Sequence, residues 1–208
     1  MIPPDRRFVL AAAAGLALAP AAHAATAMAQ GDVSLGRPSA KVKLVEYASA
    51  SCPHCAAFNN EVFGPFRKAY IDTGKVHYTL KEMLTPPEEV AAAGFLIARC
   101  RGPARYFPTL DLVFRRQEEL FHPGGLLAVA QAAGLGKAQA EACVSDKAAL
   151  AAMNARVQQA VDRDGVESTP TFFLDGRKAH EGNWAYADLT AAVDAALRGP
   201  GPATTPRR

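Results

Sequence analysis

The run Val42-Lys43-Leu44-Val45-Glu46-Tyr47 puts apolar side chains on both faces of an extended segment, Val42 and Leu44 on one and Val45 and Tyr47 on the other. That pattern predicts a strand over 41–47 that is covered on both sides. Phe58, Val62, Phe66 and Tyr70 then recur at helical spacing, with Pro65 placed to bend the helix. Val76, Tyr78 and Leu80 alternate with His77, Thr79 and Lys81, which predicts a second strand and makes the opening a βαβ unit. Residues 86–165 read as helical throughout, punctuated at Gly102-Pro103, Pro123-Gly124-Gly125 and Gly134 to Gly136. The first of these helices opens on Pro87, Glu88 and Glu89 and closes on Arg99 and Arg101, charges that complement a helix dipole. Leu150, Met153, Val157 and Val161 form an apolar stripe on the last. A short apolar strand (171–174), an Asp175-Gly176 hairpin turn, an edge strand (177–180) and a helix over 185–198 complete the pattern. The expectation is an α/β domain over 41–198, with a lead-in at 30–40 and a flexible tail at 199–208.

The beginning of the chain has a different character. Arg6 and Arg7 precede an apolar run from Phe8 to Ala19, followed by the small-residue cleavage patterns Ala22-His23-Ala24, Ala25-Thr26-Ala27 and Ala27-Met28-Ala29. This has the form of a secretory signal peptide over 1–29, its apolar run short of the roughly 18 or more residues that a spanning helix needs. The Arg6-Arg7 pair also fits the twin-arginine route. No later run reaches membrane-spanning length, so the mature protein is expected to be soluble outside the cytoplasm, where disulfides are permitted. The chain is half hydrophobic and carries a formal charge of +3, all of it contributed by residues 1–29 and the terminal Arg207 and Arg208. The neutral body lacks the basic stripe that would neutralise phosphates, which argues against a nucleic-acid partner.

Cys52-Pro53-His54-Cys55 lies directly after the buried strand and at the start of a helix. A nucleophilic cysteine must be a thiolate, and the unpaired N–H groups at a helix N-terminus stabilise that charge on the first cysteine. Pro53 suits the first turn, where its missing donor is not needed, and His54 adds a donor or a positive charge near Cys52. Cys55, one turn on, is the resolving partner. The blander readings are a structural disulfide or half of a metal site. A zinc site would want two further ligands, yet Cys100 and Cys143 lie in the helical block and His77, His122 and His180 show no ligand spacing. The favoured reading is redox chemistry carried by the two cysteines, with no metal and no other cofactor.

Strand, helix, strand, then a helical block, then hairpin and helix is the order of a thioredoxin-like fold with an all-helical insert, the core at 41–85 and 166–198 and the insert at 86–165. Cys52-Pro53-His54-Cys55, preceded by Leu44-Val45-Glu46-Tyr47 and followed by Thr169-Pro170-Thr171-Phe172-Phe173, resembles the DsbA-like thiol:disulfide oxidoreductases of bacterial envelopes. The resemblance covers residues 40–198. It implies that Pro170 is cis, with the Thr169 backbone facing the Cys52 sulfur and pairing with substrate. It also implies an acidic residue at the place of Glu46. On its own pattern Glu46 shares a face with Val42 and Leu44, so it is either a buried carboxyl of raised pKa that moves protons for the thiols or a solvated strand-end charge. Threonine at 169 departs from the valine of the best-known oxidases and occurs in related isomerases and reductases, which leaves the redox poise open.

Cys100 and Cys143 are either a second disulfide, as some relatives carry in this region, or two buried small apolar side chains. Closing the loop between them would stabilise the fold by about 4 kcal/mol in the chain-entropy model. Trp184, Phe107, Phe114 and Phe121 are expected in the core. The activity implied is that of an exported, periplasmic, monomeric dithiol oxidase that passes the Cys52/Cys55 disulfide to folding proteins and is reoxidised by a membrane partner of the DsbB type. The rivals are a monomeric reductase or isomerase and a thiol-based copper carrier. A dimeric isomerase is disfavoured, because so few mature residues precede the first strand.

Overall fold

The computed structural model describes residues 31–199. The expected signal peptide, residue 30 of the lead-in and 200–208 of the tail lie outside them. The chain builds a five-stranded sheet in the order β1-β3-β2-β4-β5, from β1 (Val33–Leu35), β2 (Val42–Ala48), β3 (Val76–Glu82), β4 (Thr171–Leu174) and β5 (Arg177–Glu181). Only β2 and β3 run parallel. Their crossover is the helix α1, which begins as Pro53–Phe58 and continues through Asn59–Phe63, Gly64–Phe66 and Arg67–Ile71. Two of these stretches, Asn59–Phe63 and Arg67–Ile71, have the wider π pitch. They flank Pro65, and widened turns accommodate a residue with no N–H and a bulky ring.

β1 was not expected. The lead-in at 30–40 is partly a strand, paired antiparallel to β3 with Val33 opposite Leu80 and Leu35 opposite Tyr78. Three residues are too few to display a period-two pattern, and the pairing partner lies far along the chain. The structural unit therefore starts before Lys41.

Between β3 and β4 the chain forms six helices: α2 (Glu88–Cys100), α3 (Pro103–Arg115), α4 (Gln117–Leu120), α5 (Gly125–Ala132), α6 (Lys137–Val144) and α7 (Lys147–Asp164). α8 (Tyr186–Arg198) closes the fold. The β3 face that carries Val76, Tyr78, Leu80 and Glu82 is buried, and the core runs unbroken from it into Phe95, Tyr106, Leu110, Val113 and Met153 of the insert. Phe107, Phe114 and Trp184 join this core as expected. Phe121 does not: it lies just after α4 and is 41% exposed. Helical spacing alone could not foresee that α4 ends after one turn.

A buried charge cluster fixes the insert to the sheet. Glu82, at the end of β3, accepts hydrogen bonds from Arg99 Nε of α2 (2.7 Å), Arg156 Nη2 of α7 (2.8 Å) and Tyr106 Oη of α3 (2.9 Å). A carboxylate taken out of water needs this many partners to offset its desolvation. The cluster also reaches the chain before β1, where Arg99 Nη2 donates to the Gly31 carbonyl at 2.9 Å. Farther along the insert, Cys100 at the end of α2 is bonded to Cys143 of α6, with the Cα atoms 5.9 Å apart. Of the two readings open for these cysteines, the structure contains the disulfide.

Candidate active site

The buried β2 strand ends at Ala48, and four residues later Cys52 caps α1 from an extended conformation, with Pro53 in the first helical position. No side chain caps this end, so the first N–H groups of α1 remain free to face the Cys52 sulfur. Cys52 is 8% exposed and Cys55 is fully buried. Both are reduced.

Four groups converge on Cys52 Sγ. The Cys55 thiol donates to it, the Thr169 side chain donates, and the backbone N–H groups of Cys55 and His54 point at it. Led by the Cys55 hydrogen bond, these outweigh the cost of burial and bring the Cys52 pKa down to about 5. The Thr169 carbonyl is 3.3 Å from the same sulfur and accepts from it when it is protonated. The Thr169–Pro170 peptide is cis, as is Pro86–Pro87, which follows Thr85 in the chain.

Cys55 behaves in the opposite sense. Burial, its hydrogen bond to Cys52 and the charges of Cys52 and Glu46 push its thiol well above the ordinary cysteine value. The Ser49 N–H, 3.4 Å from the sulfur, acts in the other direction. Glu46 is 3% exposed, on the β2 face shared with Val42 and Leu44, which is the buried reading of that residue. Burial raises its pKa to about 8, against the Tyr78 hydroxyl, which donates to Oε2 at 2.6 Å. A small cavity of about 10 Å³ adjoins Glu46 and is otherwise lined mostly by apolar side chains, among them Phe58, Phe63, Leu80 and Phe107.

The structure thus brings Cys52, Cys55, Glu46, Thr169 and Pro170 together. Pro53 and His54 sit exposed on the first turn, and the His54 ring makes no hydrogen bond with the described residues; its backbone N–H is what reaches Cys52. Sequence reasoning missed several residues around the loop. Ser49, Ser51 and Thr85 form a hydroxyl cluster, with Ser51 Oγ donating to the Thr85 carbonyl at 2.8 Å and Thr85 Oγ1 donating to Ser49 Oγ at 2.9 Å. Gln117 and Tyr78 also reach the site, from the insert and from β3. The Ser-x-Ser-Cys run hints at the first cluster; a lone glutamine or a strand tyrosine carries no comparable signal.

A thioredoxin fold with a redox-poised cysteine pair at the first helix defines the class. A family model described as thioredoxin matches residues 28–195, and the chain belongs to that family. Among curated proteins it is 29% identical over 171 residues to a Rickettsia conorii protein provisionally named a protein-disulfide oxidoreductase, a match over 80% of this chain and 60% of that protein. The chain therefore spans about three-fifths of that relative's length. Among solved structures it resembles Wolbachia pipientis alpha-DsbA1, with a TM-score of 0.73 and 24% identity over 81% of this chain and 92% of that one. It also resembles oxidised BdbD from Bacillus subtilis, with a TM-score of 0.68 and 20% identity over 81% and 94%. The fold is that of the DsbA type, helical insert included.

Proposed function

We propose that this chain is an exported protein dithiol oxidase that works through a mixed disulfide at Cys52. The observation that carries the reading is the split between the two thiols, Cys52 low at about 5 and Cys55 well above its ordinary value. A thiolate this stable favours the reduced pair, so the oxidised pair is a strong acceptor of electrons.

In the first step a client thiolate attacks Cys52 Sγ of the oxidised enzyme. The Cys52–Cys55 bond breaks and Cys55 leaves with the electron pair. Its high proton affinity draws a proton, and Glu46, protonated at neutral pH and near enough for its charge to act on Cys55, is the donor. In the second step another client thiolate attacks the client sulfur of the mixed disulfide and Cys52 leaves as a thiolate, the better leaving group of the two. The client loses two electrons and the enzyme pair gains them. The Thr169 carbonyl, held toward Cys52 before the cis proline, is placed to pair with the client backbone.

The compartment is the periplasm, reached by the general or the twin-arginine route, the active unit is a monomer, and reoxidation falls to a DsbB-type membrane protein. Among the described residues no helix is long and apolar enough to cross a membrane. The identity of residue 169 favours a second reading, a monomeric reductase. Equilibration with glutathione buffers separates the two: the oxidase should be mostly reduced where thioredoxin-like pairs stay oxidised, and a potential near about −270 mV would establish the reductase instead. Among the described residues no third His, Cys, Asp or Glu gathers with Cys52 and Cys55 into a metal-binding group. A copper carrier would retain Cu(I) on the reduced pair through dialysis and would fail to oxidise peptide thiols.

A further inference from the structure

Gln117 opens α4, the one-turn helix of the insert, and is 5% exposed. Its Nε2 donates one hydrogen to the Ala50 carbonyl at 2.9 Å and the other to the Cys52 carbonyl at 3.0 Å. These two carbonyls bracket Ser51 on the loop that delivers Cys52 to the α1 N-terminus. The Cys52 carbonyl already accepts the first helical hydrogen bond of α1, from Ala56 N–H at 3.1 Å. Gln117 is therefore not needed merely to satisfy an orphan acceptor there; it is a second donor on an occupied carbonyl, and it fixes that carbonyl's direction. The insert bears on the same loop a second time at Gly94 of α2, where a Cβ would lie 2.9 Å from the Ala50 Cβ.

We propose that Gln117 is a positioning residue for Cys52: from the insert it clamps the backbone at Ala50 and Cys52, so that the sulfur stays under the α1 N–H groups and opposite Thr169. The inference rests on the dithiol-oxidase reading and extends it by making the helical insert part of the redox apparatus. The mechanism is geometric and electrostatic. Donors to a sulfur act steeply with angle and distance, so a loop free to rotate about residues 50–52 would lose part of the stabilisation they give the thiolate. The inward-facing amide hydrogens add a positive edge of the same sign as the helix N-terminus.

The test compares Gln117→Leu and Gln117→Met, which keep the bulk and remove both donors, in the full mature chain. Thiolate absorbance of the reduced protein is followed against pH, and the equilibrium with glutathione is measured alongside. In both variants the Cys52 midpoint should rise by about half a unit to one unit, and the disulfide form should gain about three- to tenfold at equilibrium. A purely structural role would lower the stability of oxidised and reduced protein alike and move neither readout. An unchanged midpoint and equilibrium in whichever variant folds would overturn the inference while leaving the oxidase reading intact. If the wild type itself titrates like a free cysteine, the reading beneath it fails instead.

Discussion

Two regions of this molecule hold the same ingredients, a pair of cysteines and a buried carboxylate, and put them to opposite use. At the site, Cys52 stands at the N-terminus of α1, where the helix dipole favours a thiolate, and Glu46 beside it has a single phenol for a partner. In the insert, Cys100 ends α2 one residue after the Arg99 that reaches the seam with the sheet, and at this helix end carbonyls rather than N–H groups face outward and a thiolate gains nothing. Glu82 there is held by two guanidinium groups and a phenol. A helix end and the number of hydrogen-bond donors thus distinguish chemistry that must change state from chemistry that must not.

The widest separation between the regions should come from serine substitutions. Cys52→Ser should abolish oxidation of peptide thiols. Cys100→Ser with Cys143→Ser should keep that turnover while lowering stability in denaturant melts by about 4 kcal/mol. Loss of turnover in the double variant would join the two pairs functionally and break the contrast. Next comes Glu82→Gln, which removes the buried charge that Arg99, Arg156 and Tyr106 donate to and should destabilise by about 3 kcal/mol in urea unfolding at neutral pH.

Glu46→Gln should do the reverse. The native carboxyl is raised from 4.5 to about 8, so the unfolded chain gives up this proton at a lower pH than the folded one does. The resulting penalty is absent below pH 4.5, grows through the interval and is complete above about 8. The variant should therefore be clearly more stable than the wild type at pH 9 and equal to it at pH 4. A stability difference that does not vary with pH would remove the buried-acid account. The smallest effect is expected for His54→Ala, which keeps the backbone N–H that reaches Cys52 and should move the Cys52 midpoint upward by less than about half a unit, read by thiolate absorbance. No movement would assign the whole influence of His54 to its backbone N–H.

Much of the architecture was legible in the chain because it is written in local period. The two-sided β2, the alternating β3 and the Asp175-Gly176 hairpin all form where their patterns fall. The redox pair was legible because its context, a buried strand followed by a helix start, is local too. What escaped was set by distant partners. β1 is a strand only because β3 lies beside it, and Phe121 is exposed because α4 stops short. Tyr78 looks like any core aromatic until Glu46 is seen across the adjacent strand. Gln117 meets Cys52 across 65 positions of sequence, a juxtaposition that no window of neighbouring residues could contain.

The unequal burial of the two site sulfurs has a consequence for access. With Cys55 sealed beneath the first turn, a reagent arriving from solution can reach only one of the pair. Any thiol that attacks a bond between them then meets the same sulfur, and the hidden atom answers only to its neighbour, so selectivity between the two ends of the bond comes from access alone.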